Sequence, residues 1–253
     1  MLIVISSSKT LDFSKCFGNK SHTIPVFLKE SEELISILRQ FSIEELTNLL
    51  KISKPLAELN YKRFIKWDVA HPEKKSKIAI LAFKGDTYKS LNANSFTTSD
   101  LEFASQHLRI LSGLYGLLRP LDFIMPYRLE MTTNLKNNYC KALYKFWKLK
   151  INYELNKIVK ENNFKIIINI TSGEYFKVID KLFNLPVLNI TFKQKYYDIY
   201  KTKAAFSKKA RGMMLNFIIK NRISKIDEIK SFNKDGYVFN PLFSTDSEWV
   251  YTR

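Results

Sequence analysis

LRILSGLYGLLRPLDFIMPYRLEM, residues 108–131, decides how this chain is read. The chain holds only 7 Gly, 7 Pro and 5 Met in 253 residues, and this stretch contains two of each. It also carries Arg109, Arg119 and Arg128 in a sequence that makes most of its positive charge with Lys. A scarce Gly marks backbone that needs positive φ or a close approach. An Arg among many Lys marks a planar, bidentate contact to phosphate or carboxylate that an ammonium does not make. SGLYG therefore predicts a tight turn, with Gly113 or Gly116 at positive φ. The pattern predicts a helix over SDLEFASQHLRIL (99–111), capped by Ser99 and Glu102, and a second starting at LLRPLDF. In PYRLEM, alternation sets Tyr127, Leu129 and Met131 on one face of a strand and Arg128 and Glu130 on the other.

Working outward, short apolar runs predict buried strands at LIVIS (2–6), IAILAF (78–83) and KIIINIT (165–171). Each stops at small polar residues: Ser8-Lys9-Thr10, Lys84-Gly85-Asp86 and Ser172-Gly173-Glu174. Helical spacing covers 27–41, 42–51 with Ser42 and Glu45 as a capping box, 54–67, 139–162 and 207–221. VLNITF and YYDIYK fit a hairpin, and YVFN and EWVYT have strand character. No repeat or composition break divides the chain. The expectation is one compact mixed α and β domain over 1–253, a central β structure surrounded by helices.

Lys+Arg number 41 against 24 Asp+Glu, a net charge of +17. That balance points to an anionic partner. The joint richness in Lys, Asn, Ile, Phe and Tyr also fits a mutational bias without selection for binding. Cys16 and Cys140 form no CxxC, and the start has no basic signal region, so a reducing, cytoplasmic setting is expected. No apolar run is long enough to span a membrane. His22, His71 and His107 form no metal-ligand spacing, and there is no P-loop, GxGxxG or GxSxG; neither metal nor cofactor is expected.

Two sets of residues are candidates for function. Arg109, Ser112, Gly113, Gly116 and Arg119, with the cluster Lys208, Lys209 and Arg211, suit phosphate; a packing turn and a solvated charged face are the plainer readings. Lys9, Lys84, Asp86, Arg128, Glu130, Ser172 and Glu174 sit at strand ends, where ligands bind in sheets with helical connections; ordinary helix caps explain them equally. Lys9, Arg128 and Lys209 or Arg211 are expected around one concave surface.

SSSKTLDF, LAFKGDTY, the 107–131 stretch, Phe146-Trp147, SGEYF and KKARGMMLNFIIKNR, in this order, resemble the YaaA peroxide-stress resistance family from Met1 to about Gly236. The resemblance implies a cytoplasmic bacterial protein that protects against peroxide damage, linked to lower free iron. It further implies binding of duplex DNA, with weak sequence preference, and a helix-hairpin-helix-like element, which here falls at about 99–123. Two glycines separated by Leu114 and Tyr115, and Pro120 beyond them, depart from the usual hairpin spacing. The alternative is an enzyme acting on nucleic acid or a nucleotide, with Lys9, Arg128 and Arg211 as a cationic clamp and Asp86, Glu130 or Glu174 as base. Protein partners are left open.

Overall fold

The computed structural model describes residues 1–14, 22–71, 75–136, 142–179 and 185–253. Cys16 and Cys140 lie outside the described residues. The first strand is β1 (Leu2–Ser6), whose residues 2–5 are buried on both faces, as a central parallel strand requires. A short β2 (Thr10–Leu11) follows, then three helices: α1 (Leu28–Leu38), α2 (Ile43–Leu50) and α3 (Lys54–Lys66). The Ser42–Glu45 capping box of α2 is present in full.

IAILAF is not a strand of the central sheet. It divides into β3 (Lys77–Ile78), a single turn α4 (Ala79–Ala82) and β4 (Phe83–Lys84). A six-residue apolar run does not by itself separate a buried strand from a buried helical turn. Here the amides of Ala79 and Ile80 are taken by the carbonyls of Asp122 and Pro120. Next come α5 (Asp86–Leu91) and α6 (Thr98–His107), the latter capped by Thr97 and Asp100 instead of Ser99 and Glu102.

The helix-hairpin-helix-like reading of 99–123 gives way here. After α6 the chain runs into β5 (Leu108–Ser112), turns, and returns as β6 (Gly116–Leu118), antiparallel to it. LRILS is buried throughout because it lies beside β1, with Ile3 opposite Leu108 and Ser6 opposite Leu111. A strand buried on both faces loses the period-2 signal and reads as the continuation of a helix. The turn does need its glycine: Gly116 has φ +66°, and a Cβ there would meet the Trp147 ring at 2.6 Å. Gly113 has a different reason. The segment 126–131 crosses directly over it, and a Cβ would lie 2.2 Å from the Leu129 carbonyl oxygen.

Beyond the hairpin lie β7 (Phe123–Ile124), α7 (Leu143–Glu161), β8 (Ile167–Asn169) and the single turn α8 (Gly173–Phe176). The long β9 (Val187–Tyr196) is followed by β10 (Ile199–Lys201), which pairs antiparallel with residues 194–196. The turn falls inside YYDIYK, and VLNITF lies between β8 and β12 instead of forming the expected hairpin arm. Then come α9 (Ala204–Lys220), β11 (Val238–Phe239) and β12 (Glu248–Thr252). The main sheet runs β11-β12-β9-β8-β1-β5-β6, with β10 on β9. Its five middle strands are parallel and its borders antiparallel. The expected mixed α and β architecture with a central sheet among helices is therefore present.

Residues 126–131 form no strand, yet the alternation holds. Tyr127, Leu129 and Met131 are at most 3% exposed, while Arg128 and Glu130 reach the surface. No helix among the described residues is long and apolar enough to cross a membrane.

Candidate functional site

The strand order fixes where a site forms. From β1 the chain builds β5 on one side, then returns to lay β8 on the other. The order reverses between β1 and β8, and in open sheets with helical connections the carboxyl ends of the strands at such a reversal are where a binding crevice forms. Ser7 leaves β1, and Tyr175 stands just after β8; their hydroxyl oxygens are 3.5 Å apart. The Tyr127 hydroxyl meets Ser112 Oγ at 2.6 Å at the end of β5, and Tyr88 donates to the Ser6 carbonyl at 3.1 Å. Burial pushes Tyr88, Tyr127 and Tyr175 all above the ordinary phenol value, so the floor is a set of protonated hydroxyls.

Charged groups stand above this floor. Lys9 Nζ is 2.7 Å from Glu130, and the Arg128 guanidinium is 3.9 Å from the other oxygen of the same carboxylate. Arg128 Nε is buried without a hydrogen bond. Arg63 of α3 donates to Asn60 at 3.2 Å; its pKa is lowered by burial first and then by the charge of Arg128. Lys84 adjoins the same edge, because Ser8 Oγ donates to its carbonyl, while its ammonium pairs with Asp12 at 2.9 Å. Ser172 caps α8 with its carbonyl, and the exposed Glu174 acts electrostatically on Tyr175. Asp86 is exposed in the first turn of α5.

Lys9, Arg128 and Glu130 are thus brought together. The α9 cations do not join them by any contact among the described residues. Lys208 is exposed, and Lys209 lies 4.0 Å from Asp235, which also holds Arg253. Arg211 is half-buried, with its Nε unpartnered. The hairpin set is placed differently again. Ser112, Gly113 and Gly116 are buried, and Trp147 donates to the Gly113 carbonyl at 2.8 Å, so this turn offers no surface to a phosphate. Arg109 is 7% exposed. Arg119 is committed to Asp122 at 3.0 Å and to the Ile24 carbonyl at 2.7 Å.

A family model described as peroxide stress protein YaaA matches residues 1–242. The chain belongs to the YaaA peroxide-stress protein family. It is 45% identical to a UPF0246 protein of Saccharophagus degradans, covering all of this chain and 99% of that one. UPF0246 proteins of Ralstonia pickettii and Acaryochloris marina are each 42% identical, with all of this chain covered and 99% and 100% of theirs. YaaA membership agrees with the motifs that meet at the crevice: SSSKT supplies Ser7 and Lys9, PYRLEM supplies Arg128 and Glu130, and SGEYF supplies Tyr175.

Sequence reasoning missed Ser7, Tyr88, Tyr175 and Arg63. The tyrosines were hidden by abundance, since 13 are present. Arg63 carried the same rarity signal as Arg128 but sits in an ordinary amphipathic helix. Among the described residues no group of three or more His, Cys, Asp or Glu is arranged to hold a metal ion.

Proposed function

We propose that this chain serves peroxide defence by holding duplex DNA, through its phosphates, at the carboxyl ends of the parallel strands. The observation that carries this is Arg128. Its guanidinium is mostly buried, lacks a partner at Nε and feels the like charge of Arg63. Glu130 neutralises the group only in part, because it pairs closely with Lys9 at 2.7 Å and reaches Arg128 at 3.9 Å. Lys9 and Arg128 around one carboxylate, with Arg63 near enough for its charge to interact with that of Arg128, suit a phosphate, whose oxygens accept from guanidinium and ammonium donors. Phosphate contacts position a protein without reading bases, which fits weak sequence preference. Reduced oxidative damage and lower free iron are the cellular readouts of this proposal.

The test is a titration of two unrelated duplexes at several salt concentrations, with wild type and Arg128→Gln. Affinity is expected to fall with salt with a slope of about −0.9 per phosphate contacted. Arg128→Gln is expected to weaken both duplexes alike and flatten the slope by about one unit. Salt-insensitive binding, or an unchanged slope in the variant, rejects the reading.

A second reading rests on the convergence of Lys9, Arg128 and Glu130 beside hydroxyl groups: an enzyme acting on a nucleotide or nucleic acid, with Glu130 as base. Turnover of a nucleotide or nicking of DNA by wild type, lost in Glu130→Gln with binding retained, favours it.

A further inference from the structure

Arg109 and Arg119 line a cavity of about 360 Å³, bounded by the β5–β6 hairpin, α7 and the segment at Ile24 and Val26. Arg109 enters near the start of β5, at the opposite end of that strand from Ser112 and the crevice. It is 93% buried, since only 7% of it is exposed. Nη1 donates to the carbonyls of Ser105 at 2.8 Å and Leu108 at 2.7 Å. Nε is buried without a partner, and so is the Ser105 hydroxyl beside it. No carboxylate lies within ion-pair distance of Arg109 among the described residues, and Nη2 makes no hydrogen bond there.

Charge left in this state is costly unless something compensates it. Burial first, and then the charge of Arg119, pushes the Arg109 guanidinium down to about 10; Asp122 and Glu154 act the other way. Asp122 is spent on Arg119 and on Thr23. What the cavity lacks is one carboxylate on Arg109.

The walls say what would carry that carboxylate. Leu117, Leu118 and Ile158 are buried against the cavity, and Ile24 and Val26 are about half exposed at its rim. Glu154, Glu161 and Asp122 line it together with Arg109, Arg119 and Lys157, so the walls are near charge balance and suit a ligand of one negative charge better than a dianion or a polyanion. The volume lies within the roughly 300–1,000 Å³ range of small-molecule sites. We propose that this cavity binds a small organic monocarboxylate, with its carboxylate on Arg109 and its hydrocarbon part against Leu117, Ile158 and Val26. The site is separate from the crevice, and its ligand is not nucleic acid.

The test uses the full chain, with hexanoate and uncharged hexanamide as probes, followed by the amide NMR signals of Leu117, Leu118 and Ile158. Saturable shifts at these amides are expected for hexanoate, with hexanamide roughly tenfold weaker or more. Val26→Trp fills the cavity from its exposed rim, leaves Arg109 in place and is expected to abolish the shifts. Arg109→Lys loses the planar fork and is expected to weaken hexanoate, with hexanamide unaffected. No saturable shift at these amides, equal binding of the two probes, or unchanged binding in Val26→Trp overturns the proposal. DNA affinity is read in parallel, because failure here leaves it untouched.

Discussion

Ser7 Oγ and Tyr175 Oη face each other at 3.5 Å across the point where the strand order of the sheet reverses. The distance is too long for a strong hydroxyl–hydroxyl bond, so both groups keep capacity for a third oxygen. Tyr175→Phe removes one such donor while the ring stays in place. Duplex affinity is expected to fall several-fold, with stability lowered by about 1 kcal/mol or less. Equal affinity of variant and wild type would take Tyr175 out of the binding floor.

Glu130 competes with phosphate for Lys9 and Arg128. Removing its charge in Glu130→Gln is therefore expected to tighten duplex binding at low salt and steepen the salt slope. Weaker binding in that variant would mean that Glu130 positions the cations more than it competes with their ligand.

The hairpin turn is expected to tolerate almost nothing at Gly116. Gly116→Ala combines a left-handed residue, costing about 1–2 kcal/mol, with overpacking against Trp147, costing about 1–3 kcal/mol. Gly173→Ala is the control: nothing lies within 4 Å of a Cβ there, and the change is expected within about 0.5 kcal/mol. Urea denaturation midpoints compare the two, and equal midpoints would contradict the packing described.

Why SGLYG misled follows from the same packing. Its scarce residues signalled a special backbone, and Gly116 does stand at positive φ. The special backbone serves the interior: Trp147 covers Gly116, and the 126–131 segment covers Gly113. Rarity locates a constraint but does not say whether a ligand or a neighbouring chain segment imposes it. Strand ends were legible because apolar runs stop abruptly there, at Ser8-Lys9 and at Ser172-Gly173. Arg128 and Glu130 were legible from alternation. What the sequence hides is strand order and the crossing of 126–131 over the β5–β6 turn, which together bring residues 7, 128, 130 and 175 to one crevice. The six-residue run 78–83 misled for another reason, since its length suits a strand and a buried helical turn equally.

His71 makes stability depend on pH. The Tyr115 hydroxyl accepts from Trp67 Nε1 at 2.9 Å and from the Met125 amide at 3.0 Å, so its own proton goes to His71 Nε2 at 2.9 Å. His71 Nδ1–H then donates to the Val69 carbonyl at 2.9 Å, which assigns the neutral tautomer from the network. Burial lowers the pKa of His71 from its ordinary value of 6.5. The unfolded chain thus takes up this proton first as pH falls. The stability is present in full above about 6.5 and is lost progressively below it, toward the lower folded-state value. His107 is shifted in the same direction, again mainly by burial, so His71→Gln isolates the His71 share. The wild-type denaturation midpoint is expected to drop more between pH 7 and pH 5 than that of the variant. Equal drops would show that His71 is not held neutral.

The most direct measurement of the crevice is an amide NMR titration of the full chain with a short duplex at low salt. Saturable shifts are expected at residues 6–9, 127–131 and 172–175, and they are expected to collapse together as salt is raised. Shifts confined to α9 and the β9–β10 hairpin, with the strand ends silent, would contradict DNA binding at the carboxyl ends of the parallel strands.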